Sequence, residues 1–188
     1  MIRNMHPEEF EAIRDLSLAA FDGNQKIEVL IDYLHESWAW DDELSFVAER
    51  DGQLVGQVLY THALLDAAPH LVDVLVLSPV GVRPDLQNRG IGSQMIRESL
   101  ARLSQRDEAA VFLEGHPGYY PRFCFQRASD LGFTAPSVRV SSDAFMVHRL
   151  PKYEAWMTGA LVYPDAFWRA DAVGLRDSSS SSKQPDGL

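Results

Sequence analysis

A long apolar segment that runs into a glycine-bearing loop most restricts what this chain can fold into. Residues 71–82 are almost continuously apolar, as is typical of a strand buried on both faces in the middle of a sheet. Pro79 removes a backbone donor from this strand, so the sequence predicts a bulge or a splayed edge there. Residues 90–105 then place apolar side chains on one face at helical spacing. The pattern predicts a strand, a short loop and a helix in succession.

The loop between this strand and this helix carries Gly90 and Gly92. Glycines let a backbone approach a ligand closely, and a helix start leaves amide hydrogens without partners. Those amides and the positive end of the helix dipole suit a phosphate or a pyrophosphate. A dinucleotide-binding fingerprint would need a third glycine where Met95 stands, and no Gly-Lys-Ser/Thr follows as in a P-loop. The loop is therefore a candidate phosphate site of another kind.

Apolar periodicity and turn residues outline the remaining elements of the chain. Asp51-Gly52 is a strong signal for a hairpin turn between two strands. The predicted elements are a strand at 2–5, helices at 7–20 and 25–36, strands at 44–49, 54–62 and 109–114, a short helix at 119–123, and strands at 138–140 and 144–150.

A second motif, residues 115–125, follows the strand at 109–114 and reads Gly-His-Pro-Gly-Tyr-Tyr-Pro-Arg-Phe-Cys-Phe. With both motifs in order, the chain resembles the GNAT superfamily of N-acetyltransferases. That superfamily has an acetyl-CoA loop of the form Gln/Arg-x-x-Gly-x-Gly/Ala and a tyrosine five residues before a phenylalanine, the spacing of Tyr120 and Phe125 here. The motif looks like that of a subgroup of predicted bacterial acetyltransferases reading Gly-Asp/His-Pro-x-Tyr-Tyr-x-Arg-Phe-Gly-Phe. Cys124 departs from it, since the subgroup has glycine there.

The resemblance implies an α/β fold of the GNAT type, with a mixed, mostly antiparallel sheet of about seven strands and helices on both faces. It implies acetyl-CoA as co-substrate and Tyr120 as the catalytic general acid that protonates the leaving thiolate. A tyrosine suits this role because it keeps its proton at neutral pH. The residues expected to bind acetyl-CoA are Val80, Gly81, Val82, Gln87, Asn88, Arg89, Gly90, Ile91, Gly92 and Ser93. The strand residues would meet the carbonyl and pantetheine, and the loop residues the pyrophosphate.

The sequence leaves the general base open. Many GNAT enzymes place a glutamate on the long strand, whereas this chain has only Asp73 there, far from the loop. His62 on the preceding strand and His116 beside the tyrosines are the other candidates, although a lone histidine is more often structural. A water relay, or no dedicated base, is an equal alternative.

Bulk properties limit the partners and the compartment. The net charge of −10 argues against nucleic-acid binding, which needs clustered Lys and Arg, and is compatible with a cationic amine. No run approaches the roughly 20 apolar residues of a membrane span, and no signal peptide is recognisable at the N-terminus. A single cysteine, Cys124, excludes an internal disulfide, and we expect it to be a packed small residue. We therefore expect a cytoplasmic protein that needs no metal.

The domain prediction is one GNAT domain over 1–173, in which residues 151–173 form a packed extension, followed by a disordered Ser-rich tail over 174–188. The aromatic extension is a candidate homodimer face. We expect direct attack by a primary amine of a small molecule or a peptide. The alternative is a non-catalytic acyl-CoA-binding sensor or regulatory module, against which the presence of Tyr120 argues.

Overall fold

The structure is a computed structural model and describes residues 1–174. Its strands and helices in chain order are β1 (Ile2–Asn4), α1 (Phe10–Ala20), α2 (Gln25–His35), β2 (Ser45–Arg50), β3 (Gln53–Ala67), β4 (Leu71–Val82), α3 (Ile91–Leu103), β5 (Ala110–Glu114), β6 (Gln126–Arg127), β7 (Phe133–Thr134), β8 (Phe145–Arg149), β9 (Gly159–Val162) and α4 (Asp165–Arg169). Short 3-10 helices at Pro7–Glu9, Asp42–Leu44, Pro84–Leu86, Tyr120–Phe123 and Ala128–Leu131 join them. The tail predicted beyond residue 174 lies outside the described residues.

The described strands form one nine-stranded mixed sheet with the order β1-β2-β3-β4-β5-β8-β6. All pairs along this path are antiparallel except β4 with β5, which run parallel. The sheet has more strands than the seven or so that we predicted. The additional ones include β6 and β7, of two residues each, and β9, which comes from the C-terminal segment. Such short strands carry no readable alternation, so their pairing depends on the rest of the fold.

The strand β3 pairs with two different strands, one after the other along its length, β2 and then β9. Its first half pairs with β2, and residues 64–67 pair with β9, which also pairs with β7. The segment around β9 and α4 therefore completes the sheet, and Tyr163 and Phe167 are buried beside it. Residues 138–140, which we predicted to be a strand, are in a turn instead. Val138 is fully exposed there, while the Arg139 guanidinium donates to the Val173 carbonyl at 2.9 Å, so docking of the C-terminal segment sets the local backbone.

Helices cover both faces of the sheet. On one face α3 packs through Met95, Ile96 and Leu100, and on the other α2 and α4 pack over a second apolar cluster. Helix α1 lies against β3 and β4 and packs Ile13 against Val47 in a third, smaller cluster. Alternation along β4 separates the faces: Gly81 faces α1, whereas Val80 and Val82 face the α3 side. This arrangement places the start of α3 beside the end of β4.

Two irregularities open the sheet near the end of β4. The register with β3 shifts between Val58 and Tyr60, which places an extra β4 residue opposite them, so a bulge occurs next to Pro79 as predicted. Pairing of β4 with β5 is confined to Leu75–Val111 and Val76–Phe112. Beyond Val76 the two strands no longer pair, and the edge of β4 that faces β5 has no sheet partner within residues 1–174. We call this opening the strand gap.

Candidate active site

A cleft of about 500 Å³ lies at the start of α3, alongside the strand gap. Its lining comes from the end of β4, the loop after it, the first turn of α3, the end of α1 and the segment that follows β5. The lining residues are Ala20, Phe21, Val80, Val82, Leu86, Gln87, Asn88, Gly90, Ile91, Gly92, Ser93, Tyr119, Tyr120 and Arg122. The cleft thus brings together both sequence motifs, although Ser93 at the end of the first and Gly115 at the start of the second are 22 positions apart in the chain.

The first turn of α3 has the backbone conformation and the charge that suit an anion. Gly90 precedes the helix with φ of +83°, a left-handed conformation that glycine adopts freely, and Asn88 has φ of +59°. No side chain caps the helix, and its first turn contains no acidic residue. The amides of this turn and the positive end of the dipole therefore face the cleft without an internal competitor.

Gln87 contributes to the cleft by fixing its wall. Its side-chain amide donates to the Val82 carbonyl at 3.2 Å and to the Ala20 carbonyl at 3.4 Å. These carbonyls lie at the ends of β4 and α1, so one side chain ties the loop, the strand and the helix together. The glutamine of the motif has a structural function here that its position in the sequence did not reveal.

Tyr120 stands at the inner end of the cleft. Its ring makes edge contacts with Tyr119 at 5.1 Å and Phe125 at 5.8 Å, between ring centroids. Its hydroxyl makes no hydrogen bond to any of the residues described. Burial, with a smaller contribution from Tyr119, raises the pKa of Tyr120 to about 12. The hydroxyl therefore keeps its proton throughout the physiological range and is available as a donor.

Among the cleft residues with no function assigned from the sequence, two are polar, Tyr119 and Arg122. The Tyr119 hydroxyl lies 3.3 Å from the Ser93 hydroxyl in the first turn of α3. Arg122 stacks its guanidinium 4.7 Å from the centroid of the Tyr119 ring and is the one charged side chain in the cleft lining. Both belong to the Tyr-Tyr-x-Arg run, so the motif contained the signal, but it did not indicate which way these side chains would point.

Nine of the eleven residues predicted for catalysis or acetyl-CoA binding line the cleft, and two do not. Gly81 faces α1, where a β-carbon would lie 3.2 Å from that of Ala20. Arg89 lines an adjoining groove of about 260 Å³ together with Arg50 and Arg83. Placement in the cleft is a finding about position, and the binding and catalytic functions of these residues remain predictions.

The candidate bases from the sequence lie elsewhere. His62 and Asp73 line a separate pocket of about 290 Å³, where the His62 ring is 3.6 Å from Asp41 and 3.8 Å from Glu108. Asp73 precedes Val80 by seven residues, which is about 23 Å along a strand. His116 is exposed outside the cleft lining, and its Nδ1 accepts the Gly118 amide at 3.0 Å. None of the three adjoins Tyr120 in the cleft.

Cys124 takes the place of the usual glycine without changing the turn. Its φ of +63° and ψ of 21° are the left-handed conformation that glycine would adopt, so the backbone reverses in spite of the side chain. A non-glycine residue in this region costs roughly 1–2 kcal/mol. We predicted a packed thiol, and this was wrong, because the turn directs Cys124 to the surface.

Comparisons with known proteins agree with the two motifs. Residues 1–128 match a family model described as an acetyltransferase (GNAT) domain. The chain is 31% identical over 125 residues to YjhQ of Escherichia coli K12, an uncharacterized N-acetyltransferase, which covers 66% of this chain and 68% of the relative. None of the helices in residues 1–174 is long and apolar enough to cross a membrane.

Two solved structures share the fold over most of their length. The N-acetyltransferase YhbS of Escherichia coli, solved in complex with CoA, superposes with a TM-score of 0.79 at 27% identity, covering 90% of this chain and 92% of that one. An acetyltransferase from Brucella melitensis, solved in complex with acetyl-CoA, gives 0.70 at 30% identity, with coverage of 89% and 97%.

Proposed function

Since the chain belongs to the GNAT acetyltransferase family, we propose that it transfers an acetyl group from acetyl-CoA to a primary amine, with Tyr120 as general acid. One observation carries this proposal: a single cleft joins an uncapped helix start, suited to a pyrophosphate, to a half-buried tyrosine that keeps its proton. The CoA and acetyl-CoA complexes of the two similar structures support the choice of co-substrate.

Different parts of the cleft would bind different parts of acetyl-CoA in this reaction. Amides of residues 91–93 would bind the pyrophosphate, with Arg122 adding positive charge at the rim. The free edge of β4 beyond Val76 offers backbone groups to the pantetheine arm and to the thioester carbonyl. Tyr120 would then donate its proton to the sulfur as the carbon–sulfur bond breaks.

The acceptor would be a primary amine of a small molecule or a peptide. Direct attack requires the nitrogen to be neutral and held within attack distance of the thioester carbon. The net charge of −10 favours the approach of a cationic amine. A sensor would need the same anion cradle but would have no use for a proton donor at the sulfur.

Calorimetry with acetyl-CoA tests the co-substrate directly. We expect a 1:1 complex with the wild type and none with Gly92→Glu, because the carboxylate would occupy the pyrophosphate position. Gly92→Ala is the matched control: a β-carbon there would lie 3.5 Å from Tyr119 and Val82, an ordinary contact, so binding should persist. Absence of binding by the wild type would refute the proposal.

A measurement of turnover distinguishes an acetyltransferase from a non-catalytic acyl-CoA sensor. In a screen of primary amines that measures release of the CoA thiol, Tyr120→Phe should bind acetyl-CoA like the wild type but lower kcat by about 10²-fold or more. Binding without release of CoA for any amine class would instead favour the sensor.

A further inference from the structure

Glu114, the last residue of β5, holds a half-buried carboxylate that the mechanism above does not use. The Tyr163 hydroxyl donates to its Oε1 at 3.1 Å, and the Gly174 amide donates to its Oε2 at 3.1 Å. Both donors come from the C-terminal segment, outside the part of the chain that matches the family model. The carboxylate is thus fixed by residues 49 and 60 positions away in the sequence.

Glu114 and Tyr120 lie on opposite faces of the end of β5. Leu113 packs in the same apolar cluster as Tyr120, on the α3 side. Because side chains alternate along a strand, Glu114 points to the other face, where Tyr163 and Val173 are buried. The Tyr120 ring packs against the α-carbon of Gly115, so both groups flank the same short stretch of β5.

That stretch borders the strand gap. Pairing of β4 with β5 ends at Phe112, two residues before Glu114, and only beyond this point are the strands separated. A thioester lying in the gap would have Tyr120 on one side and Glu114 on the other. An amine that adds to the face of the thioester carbonyl turned toward Glu114 would then approach beside this carboxylate.

The charges around Glu114 suit a group that gains and loses a proton. Burial raises the pKa of this carboxyl above its ordinary value, while the Tyr163 and Gly174 hydrogen bonds and the Arg139 charge oppose the rise. Arg139 donates to the Val173 carbonyl, not to Glu114, so within residues 1–174 no ion pair locks the carboxylate in its charged form. The carboxylate remains free to accept a proton.

We propose that Glu114 is the proton acceptor for the incoming ammonium group and that Tyr163 is its positioning residue. This inference rests on the proposed acetyl transfer. The carboxylate takes one proton from R-NH3⁺, and the neutral nitrogen forms a bond to the thioester carbon while the carbon–sulfur bond breaks. The nitrogen loses a second proton, which restores Tyr120 through water after the tyrosine has protonated the thiolate. Glu114 returns its proton to solvent, so each turnover releases one proton.

A matched pair of small amines tests the inference. Ethylamine is protonated at neutral pH, whereas 2,2,2-trifluoroethylamine has almost the same shape and is already neutral. We expect Glu114→Gln to lower kcat/KM for ethylamine by about 10²-fold and to change that for trifluoroethylamine by less than about threefold. The rising limb of the ethylamine pH profile should move toward the pKa of the free amine. Equal losses for both amines would overturn the inference.

Tyr163→Phe keeps the ring and removes one donor to the carboxylate. Because that hydrogen bond lowers the pKa of Glu114, its loss should move the rising limb to higher pH. A purely structural function for Tyr163 would lower the rate at every pH and leave the limb in place.

A direct titration makes the test independent of turnover. In protein labelled with ¹³C at the glutamate carboxyl carbons, the signal missing from Glu114→Gln identifies this residue. Its midpoint should lie above that of the exposed glutamates and should respond to ethylammonium in the presence of CoA, which has no acetyl group to transfer. A midpoint in the ordinary range with no response would overturn the inference. Calorimetry on the same samples tells this failure from that of the proposed function, in which acetyl-CoA itself does not bind.

Discussion

The Tyr120 ring occupies the space where any other residue at position 115 would have its side chain. A β-carbon built on Gly115 would lie 2.7 Å from Cδ2 of Tyr120 and 3.0 Å from Cδ1 of Leu113. The glycine is therefore required by the packing of the tyrosine and not by its own backbone angles, since its φ is not in the left-handed region. This contact fixes Tyr120 at the end of β5.

Gly115→Ala should displace Tyr120 and lower kcat by about 10-fold or more, while acetyl-CoA binding changes little, because Gly115 is not among the residues that line the cleft. Overpacking of this kind costs about 1–3 kcal/mol of stability. Steady-state kinetics and calorimetry check both parts. Gly118→Ala is the control, since its nearest neighbour is the exposed ring of His116, which can turn away. Equal activity of the two variants would show that the Tyr120 position is not critical.

Arg122→Ala should weaken acetyl-CoA binding about 3- to 10-fold and reduce its dependence on salt, because an exposed cation contributes mainly a screened attraction to phosphate. Arg97→Ala provides the comparison: its guanidinium also lies over an aromatic ring, that of Phe123, but is outside the cleft lining. Calorimetry at low and high salt measures the difference. If Arg97→Ala weakened binding as much, the effect would come from net charge and not from the cleft.

Two neighbouring residues of α4 test whether the C-terminal segment is part of the core. Phe167 is 2% exposed and stacks on Tyr163 at 4.5 Å, whereas Trp168 is 41% exposed. Phe167→Ala should lower the free energy of unfolding by about 3–5 kcal/mol and Trp168→Ala by about 1 kcal/mol or less. Urea denaturation followed by circular dichroism gives both values. Similar small losses would mean that the segment is only loosely attached.

The ion pairs that join Arg3 of β1 to Glu49 of β2 and to Glu9 of the 3-10 helix Pro7–Glu9 predict a pH dependence of stability. Arg3 binds both oxygens of Glu9, at 2.6 and 2.8 Å, and this lowers the pKa of Glu9 to about 2. A depressed pKa stabilises the fold above the unfolded value of 4.5 and loses this effect as the pH falls toward 2. Glu9→Gln should therefore cost about 1–2 kcal/mol at pH 7 and almost nothing at pH 2. A cost that is the same at both pH values would contradict this account.

The sequence predicted the part of the molecule in which local pattern and tertiary structure agree. The bounds of β4 matched, and α3 began within one residue of its predicted start, because a continuous apolar run and a helical stripe each admit one interpretation. The bulge beside Pro79 followed from a missing amide donor. The cleft followed from the two motifs, since both lie at the same end of adjacent strands.

The remainder depends on contacts between distant residues. Val138-Arg139-Val140 alternates like a strand, yet Arg139 is bound by the carbonyl of Val173, 34 residues later. The short strands β7 and β9 are defined by each other and by β3. Glu114 ends a strand as many glutamates do, and only its partners Tyr163 and Gly174 distinguish it. No local pattern contains such information.

The pairing of β3 with three other strands has a consequence for the cooperativity of unfolding. This one strand of 15 residues pairs with β4 from Gly56 to Asp66, with β2 over its first half and with β9 near its end. Neither half of the sheet can be lost while the other keeps its full set of partners. We therefore expect the described chain to melt as a single cooperative unit, so that damage to the C-terminal segment is felt in the midpoint of the whole transition and not as a separate early step.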